Sequence, residues 1–525
     1  MTQRTRPAEL APEGRWLAGH PPGLSTLFFT ELWERFSFSG MRGLLLFFLT
    51  ASLARGGLGW TAAMAGSVMG LYGALAFLGG IAGGWLADWF LGQRRAVVYG
   101  AVLIMLGHLC LTGPGESNFY GGLLLLLLGT SLFKPNMNAM VGMLYAPGDR
   151  RRDAGFGIFY MGINIGSVLA PLVCGFLAQG QRFQALLRGW GLRPEHSWHW
   201  GFGAAAVGMA LGLTQLLLGQ RRLGDVGLAP QGLRGSAGEG GLGSAGVDPQ
   251  LYQEQRARLL IYAAILVIAV GALVALHTTG LYRLTMKQVV NGLSLLVLVV
   301  PVIYIPPLLL NRRLSSGERR AIGALLILFL FTILFWATEA LIGSALLLVA
   351  NRHVDNSVLG LPFPSVWWQS LGPILVVLVS PGLSALWLRL GPREPHSVSK
   401  FALGLFLMSL SFLVLTLASL RITPGGARLG PAWLALVYLL NTFSELCICP
   451  VGLSLVTRMA PPRLAGQLMG LWFLSVSVGN VIGGRALGLF DVTPLPLYFG
   501  ITALVLVLGA ALLFLIRSAL RRFGG

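Results

Sequence analysis

Four charges interrupt an otherwise apolar run near the start of this sequence. In "ELWERFSFSGMRGLLLFFL", residues 31–49, Glu31, Glu34, Arg35 and Arg42 stand among aromatic and aliphatic residues. With Phe38 they are spaced so that all five share one face of a helix. Carboxylates beside guanidinium groups can hold a proton or release it, because neighbouring charge shifts proton affinity. Further charges stand in apolar surroundings elsewhere: Lys134 in "GTSLFKPNMNAM", Glu339 in "LFWATEALIGSA" and Glu445 in "NTFSELCICPVG". Pro135, next to Lys134, breaks the local hydrogen-bond ladder. A charge turned toward lipid costs about 3 kcal/mol, so these faces must meet protein or a wet cavity. Fixed salt bridges that orient helices are the competing reading. Buried pairs add little net stability, so seven such charges fit a pathway for protons and a polar solute better. Asn164 and Asn441 are equally well explained as interhelical hydrogen-bonding groups.

The elements that position these groups are membrane-spanning helices. The chain of 525 residues is 55% hydrophobic and only 11% charged, with a mean hydropathy of +0.73. Soluble chains carry about 25% charged residues, so that class is excluded. A helix needs about 20 apolar residues to cross a bilayer, and 401–420 and 492–516 supply them without a charge. Runs this continuous exclude the alternating strands of a membrane barrel. The predicted fold class is an all-α polytopic membrane protein with 14 transmembrane helices. They begin at about 23, 61, 95, 118, 154, 198, 258, 288, 319, 365, 397, 431, 464 and 494. The net charge of +19 is a topology signal, because most Lys and Arg fall in alternate connections. It places both termini in the cytoplasm, and the basic excess implies contact with anionic lipid, not nucleic acid.

A Gly- and Ser-rich stretch, "GLAPQGLRGSAGEGGLGSAGVDPQ", divides the chain as a flexible linker. The expected organisation is an N-terminal segment (1–22), a six-helix bundle (23–222), the linker (223–256), an inserted helix pair (257–312), a second six-helix bundle (313–518) and a short tail (519–525). Two six-helix halves around a midplane site are the organisation of the major facilitator fold. In "GGWLADWFLGQRR", Asp88 and Arg94 suit a cytoplasmic gate latch, with Glu339 a further gate candidate, against a plain helix-end cap. Residues 1–22 contain no apolar signal-peptide core. Cys110, Cys174, Cys447 and Cys449 are expected as free core thiols, and the scattered histidines give no metal site. No nucleophile, base and metal cluster marks an enzyme. No cofactor is expected beyond protons as coupling ion.

The motif "ELWERFSFSGMRGLLLFFL" resembles the E-x-x-E-R-F-x-Y-Y-G motif of the proton-dependent oligopeptide transporter family. Residues 129–178, "GTSLFKPNMNAMVGMLYAPGDRRRDAGFGIFYMGINIGSVLAPLVCGFLA", resemble that family's long signature. The resemblance runs from about residue 25 to 515 and includes the helix pair of bacterial members. It implies a proton symporter that imports di- and tripeptides across the inner membrane by alternating access, a monomer sufficing. Carried over by position, Glu31, Glu34 and Arg35 are the proton-coupling motif. Arg42 and Lys134 receive a peptide carboxylate, while Glu445 and Asn164 meet its amino group. Tyr72, Trp336 and Trp472 line the side-chain pockets.

Three departures bear on substrate. Phe38-Ser39 replaces Tyr-Tyr, Ala340-Leu341 stands where the family carries Glu-Gln, and Gly372 replaces an Asn. Glu339 is one position earlier, about 100° around the helix. The losses fall on groups that hold peptide backbone or amino end. The alternatives are therefore a non-peptide organic anion or amino-acid derivative carried by the same fold, and a receptor that binds without transporting.

Overall fold

The computed structural model describes residues 19–146, 149–228, 285–310, 314–358, 360–422, 428–460 and 464–524, with isolated positions between 253 and 279. The N-terminal bundle consists of α1 (Gly23–Thr50), α2 (Ala62–Leu86, prolonged by a π-helical turn, Ala87–Leu91), α3 (Gln93–Leu111), α4 (Glu116–Met143), α5 (Arg152–Gln179) and α7 (Ser197–Leu218). A short amphipathic helix, α6 (Gln181–Gly189), joins the last two. After α8 (Met286–Leu309) come α9 (Ser316–Ile342), α10 (Ala345–His353), α11 (Leu371–Leu390), α12 (Ser397–Ser419), α13 (Pro431–Met459), α14 (Ala465–Ala486) and α15 (Leu495–Gly524). The expected helix near 258–277 and the body of the linker lie outside the described residues.

Helix starts follow local chemistry. Ser315 Oγ accepts from the Glu318 amide at 3.2 Å while Glu318 returns to the Ser315 amide at 2.8 Å, a capping box that opens α9. Thr285 and Gln288 form the same device before α8. The sequence predicted one helix over about 319–350, but the structure breaks it at Gly343–Ser344, where Ser344 leaves helical geometry and its hydroxyl donates to the Ala340 carbonyl at 2.6 Å.

Among the described residues, eleven spans are long and apolar enough to cross a membrane. Helices α1 and α4, 28 residues each, fall outside that set, and they carry the Glu31–Arg42 charges and Lys134. The two helices that carry these charges are thus ones the bundle must cover.

Within the first half, α1 packs on α5 and α7, and α4 on α2 and α3; within the second, α12 packs on α13 and α15, and α14 on α9. Helix α8 lies across both halves, against α2 and α14. The halves approach most closely on the side remote from the chain termini. There a Cβ on Gly66 would stand 2.6 Å from the Gly484 carbonyl, and one on Gly70 would collide with the Asn480 carbonyl. On that same side the C-terminal part of α5 meets the 365–370 turn of the other half, and Ser370 Oγ donates to the Val168 carbonyl at 2.8 Å.

Candidate functional site

Between the halves lies a cavity of about 390 Å³. Helix α1 contributes Phe38, Ser39 and Arg42, and α5 contributes Tyr160, Asn164 and Ser167. The facing wall holds Trp336, Glu339 and Ala340 of α9, Gly372 of α11, and Tyr438, Asn441 and Glu445 of α13. A smaller annex of about 40 Å³ extends past Phe38 and Arg42 to Tyr72, Phe77 and Lys134. Groups more than 400 residues apart in sequence therefore share one enclosure, with cations on the N-terminal wall and carboxylates on the C-terminal wall.

The charged motif of α1 lies one layer behind that wall. Arg35 Nε is 2.6 Å from Glu34 Oε2 and 3.2 Å from Glu31 Oε1, with both carboxylates buried. The i,i+4 spacing of Glu31 and Arg35 makes the second contact a property of the helix itself. Lys134 Nζ sits 3.8 Å from the centre of the Phe38 ring, with Glu31 and Glu34 as electrostatic partners. Arg35 Cζ is 5.0 Å from the same ring. The phenylalanine at this departure from the family pattern thus holds two cations by its face. Its neighbour Ser39 donates to Ser167 Oγ at 3.2 Å, which ties α1 to α5 at the cavity edge.

Glu339 reaches the cavity despite its shifted position. Its Oε1 accepts from Asn441 Nδ2 at 3.4 Å, and it attracts Arg42 across the space. Asn164 lines the same cavity, and its Nδ2 donates to the Tyr160 carbonyl of its own helix at 2.9 Å. Neither Ala340 nor Gly372 narrows the wall: a Cβ on Gly372 would come no closer than 3.9 Å, to Tyr438. Asn441 stands one helical turn before Glu445, and that spacing was the signal available for pairing it with the site. Tyr438, three residues before Asn441, and Ser167, three after Asn164, carried the same kind of signal, whereas Asn480 carried none.

Two expectations are corrected. Trp472 does not line the cavity: it is buried against Phe329 and Phe401, its indole occupying the space that Gly452 leaves by having no side chain. Asp88 and Arg94 do not form a latch with each other. Gly92, with φ +75°, turns the chain into α3 so that Gln93 Nε2 donates to Asp88 Oδ1 at 2.7 Å. Arg94 instead donates to the Gly224 carbonyl at 2.5 Å and the Val226 carbonyl at 2.7 Å, securing the segment that follows α7. The four cysteines are free, as expected.

Two helical halves around a cavity of opposed charges define a multi-pass membrane transporter of the major facilitator fold. The family model described as the POT family matches residues 94–234 and 247–501. The chain is 36% identical to peptide transporter YePEPT of Yersinia enterocolitica over 97% of its own length and 96% of the relative's. It is 35% identical to a di-/tripeptide transporter of Lactococcus lactis, with 97% of each chain covered. A crystal structure of a peptide transporter POT in complex with sulfate superposes with a TM-score of 0.85 at 36% identity, covering 98% of this chain and 97% of the other. The chain belongs to the POT family, the proton-dependent oligopeptide transporters.

Proposed function

We propose that this protein is a proton-coupled symporter that imports di- and tripeptides by alternating access. The observation that carries this reading is the opposition of Arg42 and Lys134 to Glu339 and Glu445 across one cavity, with Glu31, Glu34 and Arg35 packed directly behind it. A zwitterionic peptide is a dipole, and such a cavity orients it by its termini whatever its side chains. The carboxylate is received by Arg42 and Lys134, and the amino group by Glu445 and Asn164.

Coupling follows from competition for the same cations. Protonation of Glu31 or Glu34 weakens its hold on Arg35 and Lys134, and the peptide carboxylate then takes over Lys134. The halves rock about the cavity, and loss of the proton on the other side restores the pairs and expels the peptide. The protein resides in the inner membrane with both termini in the cytoplasm, so the closed glycine seam faces outward and this state faces inward.

The test is uptake of labelled dialanine into proteoliposomes with the lumen alkaline relative to the outside. Accumulation above equilibrium is expected, abolished by dissipating the gradient and lost in Glu34→Gln, which should retain exchange of peptide across the membrane. Accumulation that ignores both the gradient and the substitution overturns the reading.

A further inference from the structure

The C-terminal wall carries one more carboxylate than an amino group at Glu445 requires. Glu339 and Asn441 face each other from α9 and α13, joined only by the 3.4 Å contact. Glu339 Oε2 and Asn441 Oδ1 are both buried, and neither has a hydrogen-bond partner among the described residues. Turning the amide over exchanges its oxygen and nitrogen but still leaves an acceptor stranded beside a carboxylate. An unpartnered carboxylate oxygen and an unpartnered amide oxygen on two facing helices are the complement of an ammonium group, which offers three donors and one positive charge.

Charge balance points the same way. Arg42 is the cation that attracts Glu339 from across the cavity, and no ion pair within 4.0 Å is formed between them. When a ligand carboxylate occupies Arg42, Glu339 loses that compensation. A simple zwitterion supplies one ammonium group, taken by Glu445, and leaves Glu339 uncompensated. A ligand with a second cation restores the balance, and one with an acidic side chain worsens it.

The space fits a long, slender side chain. Gly372 and Ala340 add little bulk to the wall that carries Glu339, and Trp336 and Tyr438 line the same cavity with aromatic carbon against which an aliphatic stem can pack. We propose that Glu339 and Asn441 form a second ammonium-binding subsite, and that the preferred ligands are short peptides with a lysine-type side chain. This rests on the peptide reading given above, and deepens it by naming the substrate class.

Alanyl-lysine and alanyl-norleucine differ essentially in the ammonium group, so their binding to the purified full-length protein isolates this subsite. By isothermal titration calorimetry at neutral pH, alanyl-lysine is expected to bind about tenfold tighter, the size of one charge-assisted hydrogen bond. The ratio should fall to about one in Glu339→Gln and to an intermediate value in Asn441→Leu. Equal or tighter binding of alanyl-norleucine by the unmodified protein overturns the subsite alone, whatever the variants do. Failure of both peptides to bind overturns the peptide reading and the subsite together.

Discussion

Lys134 Nζ lies 3.8 Å from the centre of the Phe38 ring, and Arg35 Cζ lies 5.0 Å from that same centre. Two like charges from α4 and α1 are thus gathered on one aromatic residue at the boundary between cavity and annex. A phenol at this position would offer a hydroxyl to the ligand; the phenyl ring instead holds the cations where a carboxylate can reach them. Ring and cation are a single device.

Removal of the ring should therefore weaken carboxylate binding, while a hydroxyl added to it should be tolerated. A cation–π contact is worth about 0.5–2 kcal/mol, so Phe38→Leu is expected to raise the dissociation constant for dialanine between roughly twofold and thirtyfold. Phe38→Tyr should stay close to the unmodified protein. Calorimetric titration of both variants measures this, and equal weakening in the two would show that the ring face is not what holds Lys134.

Arg94 gives the second prediction. It binds the carbonyls of Gly224 and Val226, whereas Asp88 is held by Gln93. Arg94→Ala should free the chain after α7 and speed tryptic cleavage at Arg221 and Arg222 by about tenfold, the loss of roughly 1.4 kcal/mol of local stability. Asp88→Asn should leave that rate unchanged. Matching acceleration in the two variants would restore the latch that the sequence suggested.

The contrast between those two residues shows what was legible beforehand. Hydropathy and helical spacing located the spans and the shared face of Glu31, Glu34, Arg35, Phe38 and Arg42, because each depends on residues within a few turns. The partner of Arg94 is more than 120 positions away, and the slot for Trp472 is created by an absent side chain at Gly452. Neither leaves a local periodicity. Glu339 is intermediate: one residue of slippage swings a side chain by about 100°, and only the course of α9 beside α13 determines that it still meets the cavity. The break at Gly343 leaves no mark in the hydropathy, since the apolar run continues through it.

Trp336 and Trp472 should separate in experiment. Trp336 faces the cavity, while Trp472 is 3% exposed and fills the interior of the C-terminal bundle. Burial of a tryptophan lost to alanine costs about 3–5 kcal/mol, so Trp472→Ala is expected to lower the melting temperature in detergent with little change in peptide affinity at low temperature. Trp336→Ala should weaken binding and barely move the melt. Thermal denaturation and titration of the same preparations distinguish the two, and a specificity change confined to Trp472→Ala would return that residue to the binding site.

The glycine seam between α2 and α14 is the contact that closes one side of the cavity. A Cβ on Gly70 would meet backbone of α14 at Asn480 and Gly484, and one on Gly484 would approach Gly70 Cα to 2.9 Å. These neighbours are backbone, not flexible side-chain ends, so a larger residue cannot be absorbed by a rotamer change. Rigid helices can relieve the clash only by separating, which opens the seam. Gly70→Val should therefore fold with its helical content intact and shift the protein away from the closed arrangement. Cysteine introduced at Leu487, fully buried against Gly66 on the seam, would report the shift through faster modification by a membrane-impermeant thiol reagent. Uptake should fall to less than about a tenth, because a transporter cycle needs both arrangements and a population shift of 1.4 kcal/mol already removes most of one. Unchanged labelling with unchanged uptake would mean that the two helices need not approach this closely for the cycle to run.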